Sequence, residues 1–275
     1  MKRALIAGLV AAACGFGCQS VDTTQGGTVG VDRNQRMMVS AEEVNSGAQK
    51  AYAQMMAEAQ KKNALDRDAA QVARVRAITQ RLIAQTGTFR PDAKAWPWEV
   101  HVLSIDEVNA WCMPAGKMAM YTGLLNKLQP TDDELAAVMG HEIAHALREH
   151  SREQISRQMG TQLGVGIVGV LLGIGELGQS IAGTVADVTL NLPKSRTAEV
   201  EADRIGVELA ARAGFDPRAA VTLWEKMGKA SEGGGPPKFL STHPSHEDRI
   251  KDLREYSARV MPLYQASRSG AAAGR

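Results

Sequence analysis

His141 and His145 are the residues whose types and spacing most directly predict chemistry in this chain. They stand four apart in the segment His-Glu-Ile-Ala-His, and helix positions four apart differ by about 40° around the axis. Both imidazoles can therefore reach one metal ion. Glu142 is turned about 100° from His141, near the ion but not needed as a ligand, where a base for a metal-activated water belongs. The segment predicts a hydrolytic metal site with Glu142 as its catalytic base.

A metal held by two histidines needs a third protein ligand, with a water in the fourth position. The candidates lie in the segment 196–203, Arg-Thr-Ala-Glu-Val-Glu-Ala-Asp. Glu199 and Asp203 share a helix face, whereas Glu201 is rotated about 200° from Glu199 and must face away. If Glu199 binds the ion, Asp203 can accept a hydrogen bond from the far nitrogen of a ligand histidine. We therefore predict Glu199 as the third ligand of one Zn²⁺ per chain.

The helices that carry these residues have their own start and stop signals. Thr131 and Glu134 form a capping box, in which each side chain bonds the backbone amide of the other residue. It opens a long helix that we predict to run through His150 and beyond, with His150 either solvated or an outer partner of the site. A second helix is predicted over 197–213 and is closed by Gly214.

The rest of the chain predicts further helices and a small sheet. Helical periodicity begins at Ala41, the run 98–103 alternates like a strand, and 109–114 and 117–121 are two more extended runs. We predict an α+β fold, mainly α, in which helices surround a sheet of about three strands. A single domain is expected over residues 41–262.

Several motifs together resemble one enzyme family. The His141–His145 motif is followed by Glu199 in an E-x-x-A-D context, and the segment 109–116 (Asn-Ala-Trp-Cys-Met-Pro-Ala-Gly) and the run Thr242-His243-Pro244 match as well. In these features, over roughly residues 40–258, the chain resembles peptidase family M48. These are the gluzincins that include CAAX prenyl proteases, HtpX-like enzymes and BepA-like periplasmic proteases. The chain is most similar to the short, lipoprotein-type periplasmic members.

The resemblance implies a gluzincin metalloprotease domain with an exposed edge strand beside the metal. An unpaired edge binds an extended peptide by adding it as a strand; an ordinary internal hairpin is the alternative. The family also places His243 near the metal, where it would bind the tetrahedral intermediate or fill the fourth ligand position at rest. Arg249 would pair with an acidic group such as Asp203 as a structural lock. The expected substrate-edge residues are Asn109, Ala110, Met113, Pro114 and Gly116.

The N-terminus has the pattern of a secretory leader. Lys2-Arg3 precede an apolar stretch from Ala4 to Ala13, which is too short to span a bilayer. We predict a signal peptide over 1–18, with Cys18, or alternatively Cys14, as the acylation site of a bacterial lipoprotein. Plain cleavage to a soluble secreted protein is the other interpretation. The expected location is the periplasm, with a lipid anchor in the outer membrane.

Three further segments have a distinct composition. Residues 19–40 are rich in Gly, Thr, Gln and Asp and are expected to be a tether, and residues 263–275 are expected to be a disordered tail. Residues 163–175 carry no charge and include five glycines. This length is more typical of a buried or interfacial segment than of a membrane span.

Composition limits the function further. The chain has 275 residues, 44% of them apolar, and a net charge of +2, which is ample for a folded core. Without Lys2 and Arg3 the basic and acidic residues are equal in number, so there is no electrostatic footprint for nucleic acid. Three cysteines, two of them in the leader, exclude a disulfide framework.

These observations predict a zinc-dependent endopeptidase that cleaves unfolded or misassembled cell-envelope proteins by means of metal-activated water. The expected partners are protein substrates and, through the lipid anchor, a membrane. The main alternative is a zinc-containing periplasmic chaperone or assembly factor with little proteolysis, and a structural lipoprotein with a relict motif is the third hypothesis. The completeness of the metal motif favours the enzyme.

Overall fold

The computed structural model describes residues 19–165, 174–231, 235–244 and 248–273. The predicted signal peptide, with both of its cysteines, lies outside these residues and stays a prediction, as does most of the uncharged segment 163–175. No helix among the described residues is long and apolar enough to cross a membrane.

Helices dominate the fold and surround two small sheets, which confirms the α+β, mainly α prediction. The strands are β1 (Gln19–Val21), β2 (Gln35–Met37), β3 (Glu99–Leu103), β4 (Ala110–Met113) and β5 (Lys117–Tyr121). The helices are α1 (Ala41–Lys61), α2 (Ala69–Ile83), α3 (Thr122–Leu128), α4 (Asp132–Leu147), α5 (His150–Val165), α6 (Ile174–Leu190), α7 (Arg196–Arg212), α8 (Ala219–Ala230), α9 (Lys238–Thr242) and α10 (Arg249–Ala273).

The three-stranded sheet has the order β3-β5-β4, with β3 parallel and β4 antiparallel to β5. β4 is therefore an edge strand, as predicted, but its residues are only 0–3% exposed. Ala110 and Cys112 point into one apolar cluster, and Trp111 and Met113 point into the other. The expectation of an exposed edge is thus corrected: helices cover both faces of β4, because its side chains are apolar at every position.

Residues 19–37 pack against the domain, although their composition predicts a tether. β1 and β2 pair antiparallel, and between them Val29 and Val31 are 1% and 4% exposed. Gln35 is completely buried and bonds protein groups through its amide. Specific hydrogen bonds order the polar residues of this segment. Such bonds require no periodic hydrophobic pattern, so the sequence does not reveal them. We call this segment, residues 19–37, the N-terminal strap.

The helix of the histidine motif begins as predicted and ends earlier. The Thr131 hydroxyl accepts from the Glu134 amide at 3.2 Å, and the Glu134 carboxylate accepts from the Thr131 amide at 2.8 Å. α4 stops at Leu147, because Glu149 has φ +50°, in the left-handed region that an α-helix cannot contain. A new helix starts at His150, so that the chain turns back toward the motif.

α10 continues to Ala273, through most of the predicted disordered tail. Leu263 and Tyr264 pack against the main apolar cluster, and the Ser267 hydroxyl donates to the Ala211 carbonyl at 3.1 Å. The helix is ordered by these contacts with the domain, which a polar sequence with scattered alanines does not reveal.

The two helices that carry the candidate ligands approach each other at a pair of glycines. A Cβ on Gly140 of α4 would lie 2.9 Å from the Gly206 carbonyl oxygen, and a Cβ on Gly206 of α7 would lie 2.8 Å from the His141 amide nitrogen. Both contacts are with backbone, which cannot rotate away. The separation of α4 and α7 is therefore fixed by the absence of side chains at these two positions.

We expect Gly206→Ala to lower the free energy of unfolding by about 1–3 kcal/mol, since it overpacks a helix contact. It should also weaken metal binding, because it pushes the carboxylates of α7 away from the histidines of α4. Chemical denaturation and metal titration measure the two effects. Gly228→Ala on α8 is the matched control: its Cβ would meet nothing within 4 Å, and we expect it to stabilise by up to about 1 kcal/mol. Equal behaviour of the two variants would contradict the close-approach argument.

Candidate metal centre

The predicted ligands converge in the structure. His141, His145, Glu199 and His243 each offer one ligand atom, and these atoms all lie within 4.8 Å of one another. The two ligand histidines come from α4, Glu199 from the first turn of α7, and His243 from the residue after α9. All four side chains are buried, with Glu199 completely so. Three distant segments thus meet at one point inside the protein.

The spacing of the donor atoms fits a zinc ion. The Nε2 atoms of His141 and His145 are 3.1 Å apart, and they lie 3.6 and 3.4 Å from the Glu199 carboxylate oxygens. Ligands at about 2.0–2.1 Å from a tetrahedral ion are separated by roughly 3.3 Å. Two imidazoles and one carboxylate are also a common ligand set of catalytic zinc.

Two buried carboxylate oxygens, Glu142 Oε1 and Glu199 Oε2, have no hydrogen-bond partner among the residues that the structure describes. Such orphaned atoms are costly inside a protein and call for an explanation. Arg249 Nη1 lies 3.0 Å from Glu199 Oε2, an ion pair without hydrogen-bond geometry. A cation between Glu199 and the histidines, with a water beside Glu142, would satisfy both oxygens. The residues therefore fit a metal ion.

The acidic side chains of the site differ in their ionisation. Burial raises the pKa of Glu142, against the opposing effect of His243 and His141. For Glu199, burial also acts to raise the pKa, but the nearby His243 and His145 outweigh it and hold the pKa well below its usual value. Glu199 thus stays anionic, as a metal ligand should, whereas Glu142 beside it binds a proton more readily than usual. This combination suits a metal-assisted acid–base reaction.

His141 has the outer partner that the sequence predicts. Its Nδ1 lies 2.9 Å from Asp203 Oδ1, which leaves Nε2 for the metal. Arg249 donates to the same Asp203 oxygen at 2.8 Å and is completely buried. Its guanidinium also lies 3.3 Å from the centre of the Trp224 ring, a favourable cation–π distance. Asp203 and Arg249 thus fix the orientation of the His141 ring.

His145 has a different outer partner, which sequence reasoning left undecided. Its Nδ1 lies 2.8 Å from His150 Nδ1, and His150 Nε2 lies 3.1 Å from Glu201 Oε2. Glu201 was expected to have no role at the metal because it is rotated away from Glu199. Glu201 does face away from Glu199. It points toward the turn after α4, which brings His150 back toward the metal site. The left-handed φ of Glu149 makes this possible, and no residue type in the turn signals it.

The predicted substrate-edge residues lie beside this cluster. α4 packs against β4, and the Glu142 carboxylate is close enough to Cys112 to raise the pKa of that thiol further, beyond the larger effect of burial. Asn109 Oδ1 accepts from the Ala110 amide at 3.0 Å. Met113, Pro114 and Gly116 are buried at the end of the strand. The edge strand and the metal cluster are thus neighbours.

Lys194 is a buried cation near the site that sequence reasoning missed. Its ammonium donates to the Val188 carbonyl at 2.5 Å. Burial lowers the pKa of Lys194 to about 8, against the opposing effect of Glu142 and Glu199. A single lysine between α6 and α7 carries no pattern that would identify it in the sequence.

Comparison with known proteins agrees with this geometry. The model of peptidase family M48 matches residues 69–257, which include every residue of the cluster. The chain belongs to peptidase family M48. Its members are zinc-dependent metallopeptidases, so the expectations of family, enzyme class and cofactor are confirmed at this level.

The relatives are proteases of two kinds. The chain is 40% identical over 178 residues to the mitochondrial metalloendopeptidase OMA1 of Arabidopsis thaliana, covering 63% of this chain and 35% of that protein. The Bos taurus metalloendopeptidase OMA1 is 38% identical over 199 residues, with coverage of 68% and 37%. The beta-barrel assembly-enhancing protease of Escherichia coli (strain K12) is 29% identical over 200 residues, with coverage of 69% and 39%. The chain spans less than half the length of these relatives.

The predicted periplasmic location with a lipid anchor in the outer membrane is wrong by this comparison. The relatives with the higher identities are mitochondrial enzymes of eukaryotes. The prediction depended on a basic start and a short apolar stretch, and hydropathy of this kind does not specify the compartment to which a leader directs a protein.

We expect Glu199→Gln to lose tightly bound zinc, because an amide is a much weaker ligand than a carboxylate. Zinc per folded chain, measured by atomic absorption after dialysis, should fall from about one to near zero. Glu225→Gln on α8, where the half-exposed carboxylate pairs with Arg254 at 3.1 Å, should keep its zinc. Retention of full zinc by Glu199→Gln would exclude Glu199 as a ligand.

Proposed function

We propose that this protein is a zinc endopeptidase in which His141, His145 and Glu199 hold the metal. The convergence of these three side chains, with two orphaned carboxylate oxygens beside them, carries the proposal. Bound zinc would polarise the scissile carbonyl and lower the pKa of a water toward about 7. Glu142 then takes the proton of the attacking water and returns it to the leaving amine. The raised pKa of Glu142 suits both transfers.

His243 is proposed to act at the position where the substrate carbonyl must lie. Its Nδ1 is 3.2 Å from His141 Nε2, and its Nε2 is 3.4 Å from Glu142 Oε1. The ring stacks on Phe239, at 4.4 Å between ring centres and 21° between planes. From this place His243 can complete the ligand set at rest or donate a hydrogen bond to the tetrahedral intermediate.

The proposed substrates are unfolded or misassembled proteins, which would bind as an added strand along β4. Because Cys112 is only 3% exposed, this mode of binding requires the groups that cover the edge of β4 to move aside. The Tyr121 amide donates to the Asn109 carbonyl, so these two residues form a hydrogen-bonded pair of the antiparallel ladder. Hydrogen-bonded and non-hydrogen-bonded pairs alternate along such a ladder, and Cys112, three residues after Asn109, lies in a non-hydrogen-bonded pair with Met118. Its amide and carbonyl therefore point away from β5. Among the described residues neither group has a backbone partner. Main-chain bonds at this edge require an extended, exposed substrate backbone but little sequence.

We expect Glu142→Gln to keep its zinc and to cleave denatured casein about 10²–10⁴-fold more slowly, since the general base is lost. Product peptides are quantified over time, with Glu255→Gln on the exposed face of α10 as the control. Unchanged hydrolysis by Glu142→Gln would exclude the mechanism. Binding of casein without products, in the parent as in the variant, would favour the zinc-containing chaperone instead.

The Cys112 amide provides a test of strand addition. Cys112→Pro removes one N–H from the side of β4 that faces away from β5, where proline breaks no hydrogen bond of the sheet, whereas Cys112→Ala keeps it. One hydrogen bond is worth roughly 1 kcal/mol, so we expect the proline variant to lose about 5- to 10-fold in kcat/KM for casein, mainly through KM. Zinc content should stay the same in both variants. Equal kinetics of the two would argue against main-chain recognition at β4.

A further inference from the structure

The outer partner of His145 is a histidine, which imposes a direction on the hydrogen bonds behind the metal. His145 Nε2 faces the other ligand atoms, so its Nδ1 must carry the proton. That proton is donated to His150 Nδ1 at 2.8 Å, which must therefore be the acceptor. The proton of His150 then lies on Nε2, 3.1 Å from Glu201 Oε2. The direction of both hydrogen bonds in this row, from His145 to His150 and from His150 to Glu201, is therefore fixed.

Glu201 is held in turn by two arginines. Arg148 Nε donates to Glu201 Oε2 at 2.9 Å, and Arg33 Nε donates to Glu201 Oε1 at 2.6 Å. Arg148 is completely buried and follows α4 directly. Arg33 belongs to the N-terminal strap and also pairs with Glu153 of α5 at 2.8 Å. The row of hydrogen bonds from the metal site thus ends in the strap.

The strap is fitted to Arg148 by several further contacts. The hydroxyls of Thr23 and Thr24 accept from Arg148 Nη1 at 3.2 and 3.1 Å, and the Arg33 carbonyl accepts from Nη2 at 2.8 Å. The Gln35 amide donates to the Arg148 carbonyl at 2.7 Å. Glu201 and the strap together thus accept four hydrogen bonds from the five N–H groups of this guanidinium. Removing the strap would leave a buried cation short of acceptors, which is costly.

We propose that His150 and Glu201 are positioning residues for the metal ligand His145, and that the N-terminal strap sets the metal affinity by holding Glu201 through Arg33 and Arg148. Docking of the strap and binding of zinc then favour each other, and the coupling is reciprocal by thermodynamic necessity. The second ligand histidine, His141, has its own partners in α7 and α10 and needs no strap. The strap is thereby connected to the side of the metal centre on which His145 lies.

The first test measures zinc affinity by chelator competition, in a Glu142→Gln background that prevents self-cleavage. His150→Phe cannot accept from His145, and we expect it to bind zinc 10- to 100-fold more weakly. His150→Asn offers an acceptor oxygen and should recover most of the loss. His101→Phe on β3, where the histidine contacts Asp66 at 2.7 Å, is the matched control and should bind zinc like the parent.

A spectroscopic readout separates positioning from general destabilisation. With Co²⁺ in place of zinc, the visible absorption bands report the ligand geometry, and they should shift in His150→Phe but not in His101→Phe. Unchanged bands together with unchanged affinity in His150→Phe would overturn the role of His150. Circular dichroism and thermal unfolding of the metal-free proteins show whether each variant folds.

The second test addresses the strap through a residue that is partly exposed. We expect Arg33→Gln to weaken zinc binding several-fold, while Arg36→Gln, at an exposed position of β2, leaves it unchanged. In the parent, zinc should slow hydrogen exchange of the strap amides, and Arg33→Gln should abolish that effect. Equal affinity of Arg33→Gln and Arg36→Gln, or strap exchange that ignores zinc, would overturn the coupling. This variant decides the proposal even if the buried variants fail to fold.

Discussion

The close approach of α4 and α7 sets the geometry of the metal centre. Gly140 and Gly206 allow the two backbones to come within contact distance. This distance places a carboxylate of α7 among the imidazoles of α4, with no loop in between. A site built on two packed helices is more rigid than one built on loops. Metal geometry is in this sense a consequence of helix packing.

The chemistry of the centre requires several charges to be buried, and the structure satisfies them in two groups. On one side Asp203, Glu199 and the buried Arg249 surround His141. On the other side Glu201 and the buried Arg148 stand behind His145 and its partner. Paired and hydrogen-bonded charges avoid the large penalty of an isolated buried ion. His141 thus contacts directly an acid that an arginine holds in place, whereas His145 reaches such an acid through His150.

The two groups differ in what they connect to the metal. Arg249 begins α10, which packs along α7, so the first group is internal to the helical domain. Arg148 is hydrogen-bonded to the N-terminal strap, so the second group connects the metal site with the beginning of the described chain. The proposed ligands and the proposed base all lie within the residues that the family model matches. The connection to the strap concerns the part of the chain that lies before the matched residues 69–257.

Short-range patterns in the sequence predict most of the residues that are proposed to do the chemistry. A histidine pair at helical spacing, a carboxylate pair four apart and a capping box are all short-range patterns, and Glu142, Asp203 and the start of α4 lie where these patterns predict. The number of strands in the main sheet followed from alternation and turn residues.

Features that depend on a turn or on contacts between distant residues are visible in the tertiary structure but not in these patterns. The left-handed φ of Glu149 returns His150 to the metal, helices bury an edge strand that was expected to be exposed, and hydrogen bonds to Arg148 order a segment that looks like a tether. Periodicity records which face of an element is buried; it carries no information on partners that are distant in the chain, and these are the contacts that orient a ligand.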